Sequence, residues 1–103
     1  MSFFSNLFGG ANNGLVNGAQ AREAVSHGAI LLDVRTPMEH EAGTIPGSKN
    51  IAVQELAQRL GELDPNQSYV VYCRSGGRSA AAAALLKQHG FEHVVDLGGI
   101  GNW

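Results

Sequence analysis

The 103-residue chain reads as one α/β domain, with a mostly parallel sheet of about five strands and helices on both faces. Three observations predict this. Apolar runs of strand length alternate with segments of helical spacing from Leu15 onward. The runs Ala29 to Val34 and Tyr69 to Tyr72 are continuous rather than alternating, the pattern of strands covered on both faces. Capping signals stand after strands, as crossover helices require.

In order, Leu15-Val16 is a minimal strand. Asn17 caps a helix whose Gln20 completes a capping box; Ala21, Ala24 and Val25 form its apolar face, and Gly28 ends it. Ala29 to Val34 is the first buried strand. Thr36-Pro37-Met38-Glu39 then opens a short helix, with a threonine cap, proline at the first turn and glutamate reaching back; it ends at Gly43. Thr44-Ile45-Pro46-Gly47 is a turn and Lys49-Asn50-Ile51 a short strand. Val53, Leu56, Ala57 and Leu60 recur at helical spacing before Asp64-Pro65-Asn66 turns the chain. Tyr69 to Tyr72 is the second buried strand, and Ala80 to Leu86 a helix closed by Gly90, onto which Phe91 packs. Val94 to Leu97 is the last strand, and Gly98 to Trp103 trails off from it.

Composition narrows the function. With 44% apolar and 16% charged residues and a net charge of −2, the chain has no basic run to attract nucleic acid. A single cysteine excludes an intrachain disulfide framework and cysteine-rich zinc sites. His27, His40, His89 and His93 show no paired ligand spacing, so neither metal nor other cofactor is expected; His89 suits the negative end of its helix. Residues 1–13 read as an apolar segment and linker, with 14–103 as the domain. The segment lacks the charged start and sustained apolar core of a signal peptide, so a cytoplasmic location is expected. Phe3, Phe4, Leu7 and Phe8 are expected to dock on the domain or on a second copy, not on a membrane.

The chemistry gathers where the second buried strand stops. Cys73 ends that strand, and Arg74-Ser75-Gly76-Gly77-Arg78-Ser79 leads into the alanine-rich helix. A thiol beside a helix N-terminus meets backbone N–H groups without intrahelical partners, which favour its anionic, nucleophilic form. Two glycines allow those groups to turn inward. Cys73 is therefore read as a nucleophile, its sulfur exposed at the sheet's edge and ringed by main-chain donors. Arg78 is the fifth residue after Cys73, one short of the spacing by which tyrosine phosphatases surround phosphate, so the smaller ring suits a single added sulfur atom.

Four pieces now stand in order: Leu32-Asp33-Val34-Arg35-Thr36-Pro37 with Glu39; Gly43-Thr44-Ile45-Pro46-Gly47-Ser48 with Asn50-Ile51; Tyr72 to Ser79; and Leu97-Gly98-Gly99 with Trp103. From Leu15 to Trp103 the chain resembles a single-domain rhodanese, a thiosulfate-type sulfurtransferase. The resemblance implies a two-step reaction: Cys73 takes the outer sulfur of thiosulfate, releasing sulfite, and the persulfide then passes it to cyanide, a thiol or a sulfur-accepting protein. It implies that the amides of Arg74 to Ser79 cradle the persulfide and that Arg78 and Arg74 draw in the donor. Either arginine can instead pair with a carboxylate and brace the loop. Asp33 and Arg35, two apart at a strand end, are read as an ion pair supporting the site.

Two positions depart from the family's pattern. Thr44 stands where these proteins commonly have histidine, and Ser48 where they often have alanine. A final helix is expected to be short or absent, its place covered by the segment around Phe3-Phe4 and Leu7-Phe8. A monomer or homodimer fits this reading. Two other functions compete with it: a non-catalytic binding or sensing module of the same fold, and a cysteine-dependent phosphatase or arsenate reductase. The short loop opposes phosphate, and the lack of a second cysteine opposes an arsenate reductase that resolves its intermediate within one chain.

Overall fold

A computed structural model describes residues 14–103. The apolar segment and its docking place lie outside the described residues. The elements are α1 (Gly18–Ser26), β1 (Ile30–Asp33), α2 (Pro37–Ala42), β2 (Lys49–Asn50), α3 (Val53–Leu56), β3 (Tyr69–Cys73), α4 (Gly77–Gln88) and β4 (Val94–Gly99), with 3-10 turns at Leu60–Glu62 and Ile100–Asn102. The strands form one parallel sheet in the order β2-β1-β3-β4.

The sheet has four strands rather than about five. Leu15 makes only an isolated bridge to Asp96, held by hydrogen bonds from Val16 N to Asp96 O and from Asp96 N to Gly14 O, both 2.9 Å. Asn17 begins capping α1 at once, so the ladder has no room to continue. Both predicted capping boxes form, Asn17 with Gln20 and Thr36 with Glu39. The Val53 to Leu60 spacing does not give one helix. It breaks into the four residues of α3 and a separate 3-10 turn, because Ala52 supplies no side-chain cap and Gly61 weakens the continuation. At the C-terminus a single 3-10 turn takes the place of a final helix.

The sheet is covered on both faces. Leu32, Val71, Cys73 and Val94 pack on one side with Leu56 of α3 and Ala82, Ala83 and Leu86 of α4. Leu31, Val70, Tyr72, Val95 and Leu97 pack on the other with Ala21 and Ala24 of α1, Ile45 and Trp103. This double burial is why β3 is apolar throughout. Among the described residues no helix is long and apolar enough to cross a membrane.

β4 continues through Gly98 and Gly99, residues expected to lie beyond it. The β3–β4 register shifts after Val71, so that Tyr72 faces Gly98 and Cys73 faces Gly99. Gly98 takes a φ of +81°, open to glycine at little cost, and its amide donates to Asp96 Oδ1 at 2.8 Å. The irregularity places a glycine directly beside the cysteine.

Candidate active site

Cys73 is the last residue of β3, and α4 begins at Gly77, three residues earlier than its alanine run indicates. Gly77, Arg78 and Ser79 are therefore its first turn, where backbone N–H groups lack intrahelical acceptors. Gly76 is the N-cap residue, at φ +110° and ψ −21°. This conformation turns its amide onto the sulfur, with N to Sγ at 2.9 Å. A side chain here would be strained by that φ.

Burial of the thiol pushes its pKa up. The Ser79 hydroxyl and the amides of Ser79, Gly76 and Ser75 outweigh it, and the net result lies below the ordinary cysteine value. The expected exposure is corrected: Cys73 is only 1% exposed. The interior strand carries it into the core, between Leu32 and Val34 of one neighbour and α4 above. The sulfur is thus covered as a residue yet faced by inward-turned donors, which together favour the thiolate.

The loop's side chains divide sharply. Ser79 is buried, its hydroxyl 3.1 Å from the Gly76 carbonyl, whereas Ser75 and Gly77 are exposed. Arg78 is committed: Nη1 donates to Glu39 Oε1 at 2.7 Å and Nη2 to Glu39 Oε2 at 3.0 Å. This pair holds the Glu39 carboxyl at a pKa of about 2, helped by the Thr36 amide and hydroxyl. Arg74 is exposed, and among the described residues its side chain makes no hydrogen bond or ion pair.

Asp33 and Arg35 meet as a bidentate pair, Arg35 Nη2 to Asp33 Oδ2 at 2.7 Å and Nε to Oδ1 at 2.9 Å, both residues buried. Burial pushes the Asp33 carboxyl up, but hydrogen bonds from Arg35 and His40 and the nearby positive charge hold it below its usual range. Arg35 also donates to the Gly43 carbonyl at 2.7 Å. By strand alternation Asp33 and Arg35 project to the face opposite Cys73. They brace the end of the sheet without facing the sulfur.

Several residues of this region were missed in the sequence. His40 Nδ1 lies 3.0 Å from Asp33 Oδ2. The Tyr72 hydroxyl, next in sequence to the cysteine, lies 2.5 Å from Thr44 Oγ1 and 2.7 Å from Ser48 Oγ. Thr44 also donates to Asp33 Oδ2 at 3.3 Å. The two positions that depart from the family's pattern thus share one buried hydroxyl. Glu39 was readable as a cap, but its pairing with Arg78 spans 39 residues and left no local signal. Among the described residues no group of His, Cys, Asp and Glu is arranged to hold a metal ion.

Comparison with known proteins agrees with this arrangement. The family described as "Rhodanese-like domain" matches residues 17–103. A sulfurtransferase of Allochromatium vinosum is 39% identical over 83 residues, covering 80% of this chain and 78% of the relative. The thiosulfate sulfurtransferase GlpE of Ectopseudomonas mendocina is 35% identical over 80 residues, covering 78% of this chain and 73% of the relative. The crystal structure of a rhodanese-related protein from Thermoplasma volcanium superposes with a TM-score of 0.74 at 38% identity, covering 82% of each chain. With its fold, its cysteine loop and its nearly full-length match in agreement, the chain belongs to the rhodanese-like domain family.

Proposed function

We propose that this protein is a sulfurtransferase that carries a sulfane sulfur as a persulfide on Cys73, loaded from thiosulfate or a similar anion. One observation carries the reading: the Gly76 amide sits 2.9 Å from Sγ, in a loop whose remaining donors lower the thiol's pKa. The names of the relatives, a sulfurtransferase and a thiosulfate sulfurtransferase, support it.

In the first step the Cys73 thiolate attacks the outer sulfur of thiosulfate. The S–S bond of the donor breaks and sulfite leaves with the electron pair. Because Cys73 is buried, a single terminal sulfur atom is the slenderest group able to reach it. The fixed N–H dipoles of Ser75, Gly76 and Ser79 then stabilise negative charge on the bound sulfur, as preorganised donors do at developing anions. In the second step a thiophilic acceptor, such as cyanide or a thiolate, attacks the outer sulfur and returns Cys73 to its thiolate.

Incubation with thiosulfate and cyanide tests this. The unaltered protein should form thiocyanate and, with thiosulfate alone, gain the mass of one sulfur atom; Cys73→Ser should do neither. A phosphatase activity with no thiocyanate would overturn the reading, and so would an unaltered protein that never gains sulfur.

A further inference from the structure

We infer that Glu39 is a positioning residue for Cys73: through Arg78 it holds the first turn of α4, and with it the donors that face Sγ. As a role in sulfur transfer, this rests on the reading above.

The need for such a hold follows from how α4 begins. α1 and α2 each open on a capping box, in which a side chain takes the amide of the third helical residue. α4 has none. Its N-cap is Gly76, which offers no side chain, and its first turn carries no acidic residue. The amide that a cap would take, that of Ser79, faces Sγ together with the Gly76 amide. A capping serine or aspartate would compete with the sulfur for it. The start of α4 is thus left without a local lock, on two successive glycines, the residues with the most backbone freedom to lose.

The lock comes from another helix. Arg78 is the second residue of α4, between Gly77 and Ser79. Its terminal nitrogens grip both oxygens of Glu39, at 2.7 and 3.0 Å, a paired geometry that fixes direction as well as distance. Glu39 is itself held, since Oε1 also accepts from the Thr36 amide and hydroxyl, each at 3.1 Å. One carboxylate therefore ties the start of α2 to the start of α4. With its pKa at about 2, it stays ionised over the whole range in which the thiol titrates. The other charged side chains of the elements packed about the loop are Arg74, the Asp33–Arg35 pair at the end of β1, and Asp96 of β4, whose Oδ1 takes the Gly98 amide.

Position and charge predict opposite signs. Acting on the sulfur only as a nearby negative charge, Glu39 would oppose ionisation, and Glu39→Gln would lower the midpoint of iodoacetamide alkylation against pH. Acting as a hold on the donors, it favours ionisation, and the same change raises the midpoint. The glutamine keeps an oxygen for the Thr36 amide, so α2 stays capped. The midpoint should therefore rise in Glu39→Gln. Loading from saturating thiosulfate should slow on the order of tenfold, short of the roughly hundredfold that a full ångström of misplacement costs, with KM for thiosulfate unchanged. Arg78→Lys, which keeps the charge and loses the fork, should raise the midpoint too. On an Arg78→Gln background, Glu39→Gln should change nothing further. A midpoint that falls or stays in place in Glu39→Gln or Arg78→Lys overturns the inference. So does a lower KM in Glu39→Gln, which would mean that a freed Arg78 takes the donor, or a further loss on the Arg78→Gln background. Failure of the unaltered protein to gain sulfur overturns the sulfur-transfer reading, while the alkylation midpoints decide the hold on the thiol independently.

Discussion

Two opposing influences meet at Sγ of Cys73. Placement in an interior strand penalises the charged form, while the Ser79 hydroxyl and the amides of Ser79, Gly76 and Ser75 favour it and prevail. The sign of the pH dependence follows. A lowered pKa leaves the thiolate populated below the ordinary cysteine range, near pH 8.5 in free peptides by about a unit's scatter, and reactivity disappears only as pH falls through the lowered value. Alkylation by iodoacetamide, followed against pH, should therefore give a midpoint below that of a free thiol. Removing the largest single favourable contribution, in Ser79→Ala, should move the midpoint upward. A profile that coincides with free cysteine, or one that Ser79→Ala leaves in place, would show that the collar does not control the thiol.

The junction of β3, β4 and the start of α4 converts backbone geometry into chemistry. Gly99 faces Cys73 across the ladder, and a Cβ there would lie 2.6 Å from the Arg74 carbonyl oxygen. The first residue of the loop therefore leans on a glycine in the neighbouring strand. Gly99→Ala must push the Arg74 peptide aside and carry the Gly76 amide from its place on the sulfur. Sulfur loading should fall by on the order of a hundredfold, the usual cost of misplacing a catalytic group by about an ångström. Far-ultraviolet circular dichroism should change little, since only the loop must yield; unaltered loading rates would contradict this coupling. Local signals in the sequence made much of this level legible. Asn17 with Gln20, Thr36 with Glu39, and the positive-φ glycines Gly28 and Gly90 act within a few residues of themselves, so their positions declare them. The Glu39–Arg78 pair, the Tyr72–Thr44–Ser48 cluster and the breadth of β4 depend on which elements become neighbours, and no short window contains both partners. The same holds for the depth of Cys73: its loop reads as polar, but burial is decided by β1 and α4. Apolar spacing at Val53 to Leu60 misled for the converse reason, since periodicity without a cap or an unbroken run of helix formers does not sustain a helix.

Across the whole molecule, the Asp33–Arg35 pair ties together the end of the sheet from which the cysteine loop springs. Arg35 reaches the Gly43 carbonyl at the end of α2, and the Asn50 amide from β2 bonds the carbonyls of Asp33 and Arg35 at 3.0 and 2.9 Å. His40 and Thr44 add two further donors to the same carboxylate. Asp33 is fully buried and the Arg35 side chain is 8% exposed, so solvent screens the pair little. Removing one partner leaves the other charge without compensation, a cost of about 3 kcal/mol or more at such sites. Asp33→Asn should lower the urea midpoint of the whole domain accordingly, while replacing both residues, in Asp33→Asn with Arg35→Met, should recover part of the loss. The acid limb supplies an independent check of sign. Because the folded Asp33 carboxyl titrates below its unfolded value, near 4 by about half a unit, its contribution is complete above that pH and disappears as pH falls through the depressed folded value. The stability gap between the unaltered protein and Asp33→Asn should thus persist from neutrality down to about pH 5, then close toward lower pH. A gap that stayed open in acid would mean that shape, rather than the charge on Asp33, secures that end of the sheet.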